Sequence, residues 1–458
     1  MSSFEGRVFA VAYVVLGLGV VLALALLMPP MANPDEVAHF SRADQISRGG
    51  LVARRLDARN AGGTVAAGIG TVDTAFRGAA HPDGKVTHGQ FEQARSATWG
   101  GGVVDAQFSN TAVYPPLFYL PAVAGIWAGK ALDLNVLTTL CLSRVLTGTA
   151  AVALGAVALT LAGPLAPWLF ALLTLPTALS LSGSTSQEAL MNATAALACA
   201  LAARLCRGVA APRANLYGGS LATALLVMAR PPLIGLALVP LAMPQVAWRH
   251  RLAGAGMIAA GTLAWMVLAA PAFVHPRLSL DPTAMPGQYG TAEQISFVLG
   301  HPKQFVVTVV TTLRDLGPYW YEAFIGVLGW YDLKVPVWYQ RVAGLMLAVA
   351  FLGSLPGPRW LSARSRLAVL CGLAAVLGAV LAAMYVGWTP VGHGLIDGVQ
   401  GRYFVAPAFF AALLCPAVRL APVLRRALAA ATLLFAAAVT APMVIDLVAT
   451  HYYLGEGR

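Results

Sequence analysis

Directly after the first apolar run the chain reads Asn33-Pro34-Asp35-Glu36-Val37-Ala38-His39. Two adjacent carboxylates at the root of a hydrophobic segment can serve as a base on a substrate held at the membrane surface. His39 follows Asp35 by four residues, on the same face of a helix beginning here, and Arg42 comes one turn later. A plain structural account also covers the stretch: Asn33 caps the helix, Pro34 fits its first turn and Glu36 completes a capping box. Glu36 and His39 have a Glu-x-x-His spacing that can contribute to a metal site, but two ligands assign no metal. A divalent cation therefore stays open.

Outward-facing cations form the second group. Arg230 lies in Ala229-Arg230-Pro231-Pro232 and Arg402 in Gln400-Gly401-Arg402-Tyr403-Phe404, each at a junction with an apolar run. Arginine at membrane depth is a functional candidate by default. Its guanidinium clamps phosphate or pyrophosphate well; the competing reading is snorkelling to a headgroup. Third, Ser182-Gly183-Ser184-Thr185-Ser186-Gln187-Glu188, followed by Asn192, sets hydroxyls and a carboxylate at the end of another run, where Ser186 could equally be a helix cap. Fourth, Phe324–Asp332 brings Asp332 into a segment that also reads as a half-buried interfacial helix.

The elements that must position these residues are membrane segments. Of 458 residues, 58% are hydrophobic and 11% charged, too few charges for a soluble domain's surface. Lys+Arg exceeds Asp+Glu by 30 to 19, but the basic residues sit in short connections between apolar runs. That placement reads as membrane topology rather than nucleic-acid binding. The five cysteines have no metal-ligand spacing and lie in or beside apolar runs, as small core residues do. The run 8–28 is long for a signal peptide and is read as an uncleaved first span.

Apolar runs fall near 8–28, 113–131, 141–162, 165–182, 189–205, 216–229, 232–247, 252–273, 337–355, 366–386, 403–418 and 426–448. Arg7 and the clusters at 204–213, 249–251, 359–366 and 419–426 belong inside by the positive-inside rule. Twelve crossings break that pattern by one. The simplest repair makes the proline-interrupted run 165–182 a dip, leaving about eleven spans and an external C-terminus. The expected fold is an all-α polytopic bundle forming one domain over 1–458, with external loops at 29–112 and 274–336.

The ordered set Pro34-Asp35-Glu36-Val37-Ala38-His39-Phe40-Ser41-Arg42-Ala43, Tyr114-Pro115-Pro116-Leu117, Ser186–Asn192, Ala229-Arg230-Pro231-Pro232, Gly326–Asp332 and Gln400-Gly401-Arg402-Tyr403 resembles a bacterial family of predicted membrane proteins. That family is catalogued as a domain of unknown function near the GT-C glycosyltransferases. The resemblance implies a polyprenyl-phosphate-linked sugar as donor, with a cell-envelope glycan, lipid or protein as acceptor. It places the site at the outer face of a bacterial cytoplasmic membrane. Asp35 matches the catalytic base, with Glu36 beside it toward the acceptor. Arg230, where relatives often carry Lys, and Arg402 match the phosphate-binding cations. His39, Arg42, Tyr114, Glu188, Asn192, Asp332, Gln400 and Tyr403 are implied as acceptor or supporting residues. Glu188 departs from the Asp often found at its position. The alternative function is a transporter or flippase of a lipid-linked sugar, which should show inverted repeats; none is evident.

Overall fold

The computed structural model describes residues 2–77, 85–281, 283–357 and 360–454. Among them six helices are long and apolar enough to cross a membrane: Glu5–Leu27, Val136–Leu173, Glu188–Cys206, Trp248–Ser279, Ala363–Gly387 and Pro422–Tyr452. Shorter apolar helices, Pro231–Leu241, Val337–Gly353 and Gly401–Leu414, lie among them. Lipid is the natural neighbour of the outer helical faces, where Val11, Val15, Leu22, Leu26, Leu263 and Val267 are all exposed. The protein is an all-α multi-pass membrane protein.

Contacts sort the helix ends into two groups. At one end Arg207 donates to the Leu161 carbonyl, Arg425 pairs with Glu5 at 3.2 Å, and Arg366 reaches the Cys415 carbonyl. At the other, Arg144 meets the Met28 carbonyl, Arg402 meets Asp35, and Tyr452 donates to Asp332. Among the described residues the helical segments lying between these ends are Ser2–Leu27, Val136–Ala162, 163–182, Glu188–Cys206, Pro212–Ala229, Pro231–Leu241, Trp248–Ala269, Val337–Gly353, Ala363–Gly387, Gly401–Leu414 and Pro422–Tyr452. The arginines at 204–207, 251, 366 and 425 gather at one end, as the charge pattern predicts; Arg359 lies outside the described residues.

The run that fails to cross is not the predicted one. Residues 163–182 start beside Arg207 and finish level with Leu24 of the first helix. Twenty helical residues rise about 30 Å, enough for a full crossing. Pro164, Pro167 and Pro176 break the segment into a 3-10 turn and two short helices without turning it back. Gly148 permits the return path, since a Cβ there would lie 2.3 Å from the Ser182 carbonyl oxygen. The predicted span 113–131 instead stays at the Asp35 end. Its helix, Leu120–Ala131, is only 12 residues long and packs on the first two turns of Val136–Ala162, where Ser143 donates to the Ala122 carbonyl.

The described residues of the 29–112 loop are folded. Strands Arg54–Arg55, Ala61–Ala66 and Val103–Gln107 form an antiparallel sheet with Ala61–Ala66 in the middle. Helix Glu36–Ser47 packs on this sheet, and Phe40, Ile46, Val65, Ile69, Val72 and Tyr119 build a core distinct from that of the bundle. The 274–336 segment adds the long helix Pro302–Gly326 and a two-stranded hairpin, Val327–Leu328 with Leu333–Lys334. Trp330 on that hairpin donates to the Met31 carbonyl at 3.1 Å, so both large loops meet over the end of the first helix.

Candidate functional site

The site is built around Asp35. Asp35 is the N-cap of helix Glu36–Ser47, in a left-handed conformation with φ 58°. Its side chain does not cap the helix. One carboxylate oxygen accepts from Asn110 Nδ2 at 2.8 Å, the other from Arg402 Nη2 at 3.0 Å. An aspartate that forgoes its own helix N-terminus in a left-handed backbone is held for something else. The predicted Asn33 capping box is absent: Asn33 donates at 3.4 Å to Glu36, whose carboxylate has turned inward.

Glu36 belongs to a different structure. It is fully buried and takes a two-pronged grip from Arg144, at 2.8 Å to one oxygen and 2.5 Å to the other. The Thr185 amide adds a bond at 3.2 Å. Arg144 spends its remaining hydrogens on the carbonyls of Ala25, Met28 and Pro29. The expectation that Glu36 faces an acceptor is therefore corrected: it locks the end of the first helix to the 182–188 turn. Asn110 and Arg144 were both missed in the sequence, because neither lies in a recognisable motif.

Behind Asp35 runs a chain of alternating charge. Arg402, 8% exposed, donates through Nε to Gln400 at 2.6 Å and sits 3.6 Å from Glu188. Glu188 is hydrogen-bonded by Arg230. The Tyr403 ring lies against both guanidiniums, 4.4 Å from Arg230 and 5.8 Å from Arg402. Gly401 lets this segment close on helix Pro302–Gly326, since a Cβ would sit 2.2 Å from the Trp320 carbonyl oxygen. Asp35, Glu188, Arg230, Arg402, Gln400 and Tyr403, scattered over more than 360 residues of sequence, are thus one cluster.

His39 lies at its edge as a neutral imidazole. One ring nitrogen contacts Tyr119 Oη at 2.7 Å and the other Ser186 Oγ at 3.2 Å, with Tyr114 stacked on the ring. Burial lowers its pKa to about 4, outweighing the nearby carboxylates of Asp35 and Glu188. Ser186 also accepts from the Glu188 amide at 3.3 Å, but the N-cap of helix Glu188–Cys206 is Gln187, whose side chain makes no capping bond. Glu36 and His39 turn to separate partners, and among the described residues no three His, Cys, Asp or Glu side chains form a metal-sized group.

Three expected residues play other parts. Arg42 is buried on Gln45 and on the carbonyls of Gly50, Leu51 and Tyr114, where it shapes the first loop. Asp332 stands apart with Tyr452 and His451 at the end of the last helix. Asn192 is buried one turn beyond Glu188.

An apolar groove of about 510 Å³ leads to this cluster, lined by Tyr114, Met228, Ala229, Pro231, Pro232, Trp265, Met266 and Phe273 among others. A smaller hollow shares Tyr114, Ala229, Pro231 and Pro232 with it and is closed by Arg230 and Tyr403. Met266 and Phe273 are each 49% exposed, so the groove's far rim faces the surroundings of the bundle.

Bundle and site together define a multi-pass membrane protein that keeps a largely enclosed four-charge cluster, open at Asp35, at the end of an apolar groove. It belongs to the predicted membrane protein family DUF2142, which it matches over residues 18–411, a stretch containing every residue of the cluster. No curated protein and no solved structure matches the chain.

Proposed function

We propose that the protein is a membrane-embedded glycosyltransferase that moves a sugar from a polyprenyl-phosphate carrier to a hydroxyl of an envelope glycan, lipid or protein. The observation that carries this reading is the apolar groove ending on Arg230. A groove of this kind suits an isoprenoid tail, and a guanidinium at its end suits the phosphate on that tail. Asp35, 29% exposed and reached from Arg230 through Glu188 and Arg402, is the base.

The acceptor oxygen attacks the anomeric carbon while Asp35 removes its proton. The bond from that carbon to the phosphate oxygen breaks, and its electron pair leaves with the lipid phosphate. General-base assistance of this sort is worth ~100- to 10,000-fold in rate. Arg230 meets the negative charge growing on the phosphate. Asn110 and Arg402 hold the carboxylate still. A single displacement inverts the anomeric configuration. The reading sets the cluster at the outer face of a bacterial cytoplasmic membrane, with the arginine-rich end inside.

The test is to incubate the purified protein in vesicles with radiolabelled polyprenyl-phosphate sugars and a crude envelope acceptor. Sugar transferred to acceptor, with inverted configuration, is the expected result. Labelled lipid crossing the vesicle intact, with no transfer, would make the protein a flippase instead.

A further inference from the structure

The two arginines assigned to the donor phosphate face different spaces. Arg230 lines the hollow joined to the apolar groove. Arg402 does not; it lines a separate cavity with Pro34, Thr177, Ser180, Tyr331 and Gln400 among its walls. That cavity shares no lining residue with the groove. Its free volume, about 10 Å³, has room for one water-sized group.

Two residues lining this cavity each carry a buried polar atom with no partner among the described residues, Arg402 Nη1 and Tyr331 Oη. Arg402 is more than nine-tenths buried, so an unsatisfied N–H there is costly and calls for an oxygen. Tyr331 has φ 67°, a left-handed conformation unfavourable to a bulky side chain, and its ring lies 5.8 Å from the Arg402 guanidinium. The strained turn therefore holds the tyrosine against the arginine.

The charge balance decides which oxygen the cavity wants. Arg402 stands between two carboxylates, Asp35 at 3.0 Å and Glu188 at 3.6 Å, and has no positive charge to spare for an anion. Arg230 faces Glu188 alone among the salt-bridged acids. A phosphate belongs with Arg230, and a neutral oxygen belongs with Arg402. The same guanidinium that offers Nη1 to the cavity holds Asp35 through Nη2. An oxygen seated on Nη1 is thus placed beside the base.

We propose that the cavity bounded by Pro34, Tyr331, Gln400 and Arg402 seats a hydroxyl of a neutral, polyhydroxylated acceptor such as a carbohydrate. Arg402 is then a residue of the acceptor side, and donor and acceptor approach Asp35 from separate spaces. This rests on the glycosyltransferase reading, and its test is arranged so that the two stand or fall separately.

The full chain in nanodiscs is probed in two binding assays, with Tyr331→Phe and Ala270→Trp beside the unmodified protein. Ala270 lines the groove and is exposed, so a Trp there obstructs the groove without entering the core. Saturation-transfer NMR reads the binding of methyl hexopyranosides; a tryptophan-fluorescence titration reads the binding of sugar-free polyprenyl phosphate. The expected result is a crossover. Tyr331→Phe weakens glycoside binding about five- to tenfold, the effect of one lost hydrogen bond, and leaves polyprenyl phosphate within twofold. Ala270→Trp does the reverse. Absence of glycoside binding in the unmodified protein, or equal binding by Tyr331→Phe, overturns the acceptor seat. Equal weakening of polyprenyl phosphate by Tyr331→Phe also overturns it and gives the cavity to the donor. Absence of polyprenyl-phosphate binding in the unmodified protein defeats the donor reading instead, and the glycoside arm still decides the cavity.

Discussion

Glu36 and Arg144 lie wholly inside the protein with all their strong hydrogen-bonding positions taken, whereas Asp35, the residue before Glu36, and its partner Arg402 keep open sides. The inner pair binds three separate stretches of chain: the end of the first helix, helix Glu36–Ser47 and the 182–188 turn. The outer pair leaves Asp35 partly exposed and one Arg402 nitrogen without a partner among the described residues. Two adjacent acids of like chemistry thus divide into a structural clamp and a site. The two carboxylates turn to different partners, Asp35 to Asn110 and Arg402, Glu36 to Arg144.

The largest effect should come from breaking the clamp. Arg144→Ala strands a buried carboxylate and should cost ~3–5 kcal/mol of stability, read as a large drop in the thermal unfolding midpoint in detergent. Arg402→Ala should lower that midpoint much less, because Asp35 can turn to water. Equal losses would erase the distinction between the pairs.

Acid tests the neighbouring histidine. His39 is held neutral, with its pKa near 4 instead of the usual 6.5. Its contribution is complete above the unfolded value and is lost as pH falls from 6.5 toward 4, where the unfolded chain binds the proton first. His39→Gln should remove roughly 2–3 kcal/mol of that pH-dependent loss, seen by comparing unfolding midpoints across the window. An unchanged slope would place the titration elsewhere.

The outer site should respond in binding rather than stability. Arg230→Ala should weaken polyprenyl phosphate by ~1.5–3 kcal/mol, the range for hydrogen bonds to charged groups. Arg230→Lys should recover part of the loss, keeping the charge without the two-pronged geometry. The smallest effect expected is that of Asn110→Ala. Losing one bond to Asp35 should slow transfer by ~1 kcal/mol, about fivefold, with the unfolding midpoint nearly unchanged.

Much of this was legible in the sequence. Charge and apolar runs predicted an all-α multi-pass bundle, the gathering of arginines at one end, and the C-terminal helix finishing at the Asp35 end. The motifs around Asp35, Glu188, Arg230 and Arg402 did converge. What misled was local pattern without its partners. Prolines in 165–182 looked like a reversal, but neighbouring helices hold a broken segment on course. The apolar run 113–131 looked like a span, though its helix is short and faces the core of a folded loop. Glu36 looked like the twin of Asp35 because its partner, Arg144, lies 108 residues away. The small sheet was invisible because its middle strand, Ala61–Ala66, is mostly Ala and Gly and its Val103–Gln107 partner is largely exposed.

The central claim is that Asp35 is the base and Glu36 the clamp. It is tested most directly by measuring sugar transfer from polyprenyl-phosphate donors and thermal unfolding on the same preparations of Asp35→Asn and Glu36→Gln. The account predicts that Asp35→Asn unfolds close to the unmodified protein and loses transfer by ~100-fold or more, while Glu36→Gln is strongly destabilised and any folded fraction still transfers. A stable Asp35→Asn protein that transfers sugar at the normal rate would contradict it.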